Sequence, residues 1–411
     1  MSQIIEGKAI LTDVGGVGVP SRKHTVFYNP DMKHQRDVFV AVVNSFKRFP
    51  SGRSLSVGLP MEASGVRAIR LSEECASFAK VPLRIFANDY DADAIASLRA
   101  NLLKNGITEN DVTGKTTTGC KITQLTADAF FAQSEGLDII DIDPFGGPGP
   151  FLDGAIKRLS RDGLLCVTAT DSAVLCGLYP DVCLRNYWSM PSHDMSMHEW
   201  AVRILVRYCQ MIAAQYGKAL IPVLCYKKDH YVRLYLQCRK SKELSSQIIR
   251  EHVSVFVNPK TGEVRSTLRN LARGARGFSL VGPMYVGPLV DPSAFDEKQF
   301  RVHISDSWVG RLFSTGENTL GYFTVPQLCS LHKIAVQPPL ESVLAALRST
   351  KKVTIAYESL DFVESIKSDC DYKTVVSVLR IIGVSKAKAV TITGGAKKKS
   401  AKTKKLKGNK K

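Results

Sequence analysis

The chain has 411 residues, 44% of them hydrophobic, and a formal net charge of +18. That is enough apolar material for two domains with cores of their own, which excludes a largely disordered protein. No apolar run approaches the roughly 18 residues of a membrane span, and MSQIIEGKAILTDVGG lacks a secretory signal's basic and apolar regions; a cytoplasmic protein with no membrane partner is expected.

The predicted elements begin at residue 54. SLSVGLPM (54–61) reads as a strand, and GVRAIRLSEECASFA (65–79) as a helix with apolar positions at 66, 69 and 78. LRIFANDYD (83–91) is a second strand and ADAIASLRANLLKNG (92–106) a second helix, closed by Gly106 as its C-terminal cap. CKITQLTADAFF (120–131) and LDIIDIDPF (137–145) are further strands. A helix at FLDGAIKRLSRDG (151–163) and a strand at LLCVTATD (164–171) follow. Such alternation implies a parallel sheet with helices on both faces. ALIPVLCYKKDHYVRLYLQCRK (219–240) differs: two strands flank the tight polar turn KKDH, giving an antiparallel hairpin at the sheet edge. The predicted fold class is α/β, a doubly wound sheet with an antiparallel edge hairpin, as in class I (Rossmann-like) methyltransferases.

Beyond Lys240 the chain is basic and loop-rich, then made of shorter mixed segments. The expected domains are 1–240, a smaller α+β domain over 241–384, and a tail over 385–411. The tail holds eleven lysines and no acid, which leaves +7 on the body. It is expected to be disordered, either as a solubility or localisation element or as an arm that touches phosphates. A basic body behind it favours nucleic acid as the partner. The ten cysteines form no C-x-x-C pair and mostly sit in apolar runs, so buried free thiols are expected rather than disulfides or a zinc site.

Ligands of a doubly wound sheet bind beyond the carboxyl ends of its strands. Three stretches fall there. LPMEASGVRAIR brings Gly65 and Arg67 to a strand-to-helix turn, but it is not G-x-G-x-x-G, which disfavours a nicotinamide enzyme. Asp89 ends the strand RIFAND, where a carboxylate can accept both hydroxyls of a ribose. Asp128 and Ala129 follow KITQLT, where an acid beside a small residue suits an adenine amino group. Together they favour an adenosyl cofactor.

The fourth position is the stretch LDIIDIDPFGG. Asp143 stands at the same edge, Pro144 lacks an N–H and leaves neighbouring carbonyls free, and Phe145 offers a flat face. Carboxylate, carbonyl and aromatic suit the exocyclic amine of a planar base. Amino-methyltransferases of nucleic acids carry a (D/N)-P-P-(F/Y) motif; D-P-F is one residue shorter.

With EGKA, FYNPDMKHQRD, SGVRAIR, DIDPFGGPGPFLDGA, VTATDSAVLCG and DHYVRLYL in order over about 230 residues, the chain resembles the tRNA (guanine-26-N2)-dimethyltransferase family of archaea and eukaryotes. GPMYVGPL and SIKSD resemble that family's C-terminal domain. The resemblance implies S-adenosyl-L-methionine as cofactor, held by Arg36, Arg67, Asp89, Asp128 and Ala129. It implies that Asp143, Pro144, Phe145 and Phe27 surround the target guanine of tRNA, to which one or two methyl groups are added; a monomer is expected. The family's N-R-D is Gln35-Arg36-Asp37 here. Many relatives carry a four-cysteine zinc site after VRLYL; this chain has no cysteine between 239 and 328, so no metal is expected. An amino-methyltransferase for another RNA or DNA base, or a catalytically silent RNA-binding protein on the same fold, remains an alternative.

Overall fold

The computed structural model describes residues 3–12, 26–75, 82–109, 119–266, 276–304, 306–314, 319–351, 353, 356–359 and 364–383. The Lys-rich tail and the end of the helix expected over 65–79 lie outside these residues. The chain divides into two units: 1–192 with 197–254 and 281–318, and 193–196 with 255–280 and 319–411. Segments on both sides of residue 240 thus belong to the first unit.

The first unit opens with an antiparallel hairpin, β1 (Ile4–Glu6) and β2 (Ala9–Leu11), and the helix α1 (Lys33–Ser45). Next come β3 (Leu55–Leu59), α2 (Val66–Arg70), β4 (Leu83–Asp89), α3 (Ala92–Lys104) and β5 (Gly119–Gln124). After them run α4 (Ala127–Gln133), β6 (Leu137–Ile142), α5 (Gly149–Arg158), β7 (Leu159–Ala169), α6 (Ser172–Leu175), α7 (Pro180–Tyr187) and α8 (Met197–Ala214). The hairpin β8 (Lys218–Lys228) and β9 (Tyr231–Lys240) follows, then α9 (Lys242–Arg250). Strand order is β5-β4-β3-β6-β7-β9-β8, parallel from β5 to β7 and antiparallel at β9 and β8. This is the doubly wound sheet with an edge hairpin that the sequence implies. Every residue of β3 and of β6 is buried, as parallel strands covered on both faces require. Order reverses between β3 and β6, so the crevice for a ligand opens where these two strands end.

Two expected elements differ. The strand expected over 120–131 stops at Gln124, because Thr126 caps a helix there: its Oγ1 accepts from Ala129 N at 3.3 Å. Asp128 in that first turn suits the helix dipole. The helix expected over 151–163 ends at Arg158, and β7 begins at once with a register shift against β6. Residues 172–217, for which the sequence reading offers no element, hold α6, α7 and the almost wholly buried α8. Each of the ten cysteines is a free thiol, and nine are buried.

β10 (Val253–Val257), β11 (Val264–Ser266) and β12 (Ser279–Met284) follow, with the unit divisions falling inside β10 and β12. The first unit closes with α10 (Glu297–His303) and α11 (Ser307–Ser314). In the second unit Val255–Val257 pair with β11. β13 (Phe323–Thr324), α12 (Val325–Leu331), α13 (Leu340–Arg348), β14 (Ala356–Glu358) and β15 (Ser365–Ser368) complete it. Its core gathers Leu328, Val343, Leu347, Ile366 and Leu379.

Candidate active site

Asp143 is the first residue after β6, so the strand's end fixes where its carboxylate lies. Its Oδ2 is ion-paired with Nη2 of Arg67, from the start of α2. Arg67 is itself seated on Asp141, two residues earlier in β6, at 3.3 Å. Arg233 of β9 donates to Asp141 at 2.6 Å and to Thr168 of β7 at 2.8 Å, and Gln35 of α1 donates to the same Thr168 hydroxyl at 2.8 Å. Asp141 and Arg233 are fully buried and Arg67 nearly so. Burial alone would depress both guanidinium groups. For Arg67 that direction persists, whereas at Arg233 Asp141, Tyr235 and Cys166 together outweigh burial and raise it. Two arginines and two aspartates thus form a charge-balanced stack beneath the sheet edge, with Asp143 on top. The third aspartate of the stretch, Asp138, serves elsewhere: it takes Arg53 at 2.6 Å and Ser56 N at 2.9 Å.

Pro144 is buried, while Phe145 is 62% exposed. A large aromatic held in solvent is an unusual use of a side chain at a strand end. Its ring meets Phe27 edge to face, centroids 4.6 Å apart. The loop behind it is pinned to TATD: Gly146 N donates to Thr170 Oγ1 at 2.7 Å and Gly146 O accepts from Thr170 N at 3.0 Å. Gly147 is required, because a Cβ there would stand 2.8 Å from the Tyr187 hydroxyl that binds Asp171.

Of the other sequence-predicted residues, Asp89 ends β4, Asp128 and Ala129 follow β5, and Arg36 lies on α1. Asp89 is 7% exposed, accepting from Ala63 N at 2.9 Å and Asp91 N at 3.1 Å, so its plane is fixed. Asp128 is exposed and Ala129 half-buried, in the first turn of α4. Arg36 is buried, with Nε and Nη2 on Glu6 and Nη2 also on Asn29 O at 3.0 Å. Those two nitrogens are committed within the fold. Gly65 is fixed by packing and backbone: a Cβ there would lie 2.5 Å from Leu98 of α3, and its φ of +82° is itself a glycine conformation.

One residue that the sequence reading misses stands between these groups. Glu62, in LPMEASG, is 4% exposed; its Oε1 accepts from Ala68 N at 2.8 Å and its Oε2 has no partner. Burial pushes its carboxyl up to about 8. An acid between a strand end and a tight turn is the signal that could have found it. Nη1 of Arg67 is likewise buried without a partner. An unpaired carboxyl oxygen and an unpaired guanidinium nitrogen at one sheet edge fit a ligand that carries both an ammonium and a carboxylate.

A family model described as N2,N2-dimethylguanosine tRNA methyltransferase matches residues 5–380. The chain belongs to this family. A tRNA (guanine(26)-N(2))-dimethyltransferase of Methanocaldococcus jannaschii is 30% identical over 372 residues, covering 87% of this chain and 93% of that one. An Aquifex aeolicus relative named for guanine 26 and guanine 27 is 31% identical over 333 residues, covering 77% and 81%. Among solved structures, Trm1 from Pyrococcus horikoshii, in complex with S-adenosyl-L-methionine, aligns with a TM-score of 0.74 at 25% identity. That alignment covers 92% of this chain and all of the other. In the segment after β9, where the sequence offers no cysteine, Val255–Val257 pair with β11. No group of three or more metal-binding side chains occurs among the described residues. No helix among them is long and apolar enough to cross a membrane.

Proposed function

We propose that the chain transfers one or two methyl groups from S-adenosyl-L-methionine to the exocyclic N2 of guanosine 26 in tRNA. Asp89 takes the ribose hydroxyls and Asp128 with Ala129 the adenine. Glu62 and Arg67, with Arg36 behind them, take the amino-acid end. When bound, the cofactor supplies an electrophilic methyl group on a sulfonium sulfur.

The remaining work falls to the D-P-F loop. The amine of guanine is a poor nucleophile because its lone pair is delocalised into the ring. Asp143 accepts from the amine and fixes its orientation; Arg67 fixes Asp143. As the N–C bond forms and the S–C bond breaks, positive charge grows on nitrogen, and the carboxylate stabilises it and takes the proton released. Phe145 and Phe27 receive the base once it leaves the RNA stack.

An ion pair in which buried Arg67 holds the half-buried carboxylate of Asp143 beside an exposed aromatic, at a strand end of a chain in this family, carries the reading. Mass mapping of tRNA after incubation with protein and S-adenosyl-L-methionine tests it. Gain of 14 or 28 Da at guanosine 26 is expected; methylation elsewhere only, or none, contradicts it. The Aquifex relative's name makes guanosine 27 the neighbouring position to read.

A further inference from the structure

The segment after β7 exposes apolar side chains that the fold does not use. Leu178 and Tyr179 are 55% and 57% exposed, and Leu184 and Trp188 are 46% and 47% exposed. The inward side of α7 is already satisfied, since Cys183 and Tyr187 are buried. Leu184 is exposed on α7, and Trp188 is the residue that caps the helix's C-terminal end. Trp188 is held in a left-handed conformation, φ 54°, that a bulky residue adopts only under constraint. Arg207 donates to its carbonyl at 3.2 Å, and its ring crosses that of Tyr208 at 5.1 Å. The ring is therefore aimed and yet left half in water.

This face is continuous with the D-P-F loop. Tyr187, next to Trp188, binds both oxygens of Asp171 at 2.7 Å and abuts Gly147; Thr170 carries Gly146. Cations flank it. Arg185 is exposed on α7, and the charge of Lys227, at the β8–β9 turn, is felt at Cys176 just before Leu178.

We propose that the α6–α7 face binds the RNA strand beside the extracted guanine, Tyr179 and Trp188 stacking on unpaired bases and Arg185 taking a backbone phosphate. Aromatic platforms interleaved with cations are the chemistry of single-stranded nucleic acid binding. A second copy of the chain is the poorer occupant, because a two-fold interface would set the same cations near one another. The inference rests on the tRNA-modifying reading and adds the surface that grips the strand.

The test measures tRNA affinity of full-length Tyr179→Ala, Trp188→Asn and Arg185→Gln proteins across a salt series. Asn tolerates the left-handed backbone, so Trp188→Asn removes the ring without adding strain. Each aromatic variant should bind tRNA roughly 5- to 100-fold more weakly, the loss of one stacked base, with an unchanged salt slope. Arg185→Gln should lower the salt slope by about one. Cofactor affinity and transfer rate at saturating tRNA should stay near wild type, and the melting temperature should fall only for Trp188→Asn, which gives up the Tyr208 contact. Unchanged tRNA affinity in both aromatic variants, while the wild type still methylates tRNA, overturns this inference alone. Sedimentation showing a wild-type dimer that the variants dissociate assigns the face to a second copy and overturns it too. A wild type that neither binds nor methylates tRNA overturns the functional reading itself.

Discussion

Glu62 shows how one buried group ties the site to pH. Desolvation raises its carboxyl from 4.5 to about 8, against the opposing pull of Ala68 N and Arg67. In the unfolded chain the group loses its proton near 4.5; in the fold it keeps it to about 8. Its stabilising contribution is therefore complete below 4.5 and is lost as pH rises to 8, by up to about 1.4 kcal/mol per pH unit. Glu62→Gln, which cannot ionise, should match the wild type in stability near pH 5 and exceed it near pH 8. Denaturant unfolding at the two pH values reads this. A wild-type-to-variant difference that does not change with pH would show that Glu62 is ionised in the fold.

Between elements, the stack from Arg233 to Asp143 is a tie that the sheet alone does not provide. β9 lends Arg233 to Asp141 of β6 across an intervening strand, with Thr168 of that strand as the hinge. Arg233→Met removes one charge from a buried set and should cost about 3–5 kcal/mol, the usual result of breaking a buried pair. Adding Asp141→Leu should recover most of that stability, because two apolar groups replace two charges. It should not recover methyl transfer, since Arg67 then has no base under it. A double variant that regains both stability and rate would show that the stack does not position Asp143. None of this was legible in the sequence, where Asp141 and Arg233 lie 92 residues apart. What was legible follows from local pattern. The short apolar-rich runs of β3 and β6, the latter carrying Asp138 and Asp141, and the paired runs of β8 and β9 announce themselves. Phe130 and Phe131 pull the reading of 120–131 toward a strand, and only the cap at Thr126 turns it into a helix. The aspartates at 89, 128 and 143 were readable because strand ends place them; which neighbour each would hold was not.

On the scale of the whole molecule, charge divides between a basic body at +7 and a tail of eleven lysines without an acid. Deleting Ser385–Lys411 should weaken tRNA binding and flatten its dependence on salt without changing which guanosine is modified. Lysines near phosphates release counterions and position rather than specify. Identical salt slopes for full-length and truncated proteins would mean that the tail does not touch RNA. The central claim, that an oriented carboxylate at the end of β6 drives transfer to an amine, is tested most directly at Asp143. In Asp143→Asn the side chain keeps its size and loses its charge. Single-turnover methylation of tRNA with saturating S-adenosyl-L-methionine, paired with a thermal melt, should find a folded protein of normal cofactor affinity. Its transfer rate should be lower by about two to four orders of magnitude. A folded Asp143→Asn protein that transfers methyl groups at near the wild-type rate would contradict the account.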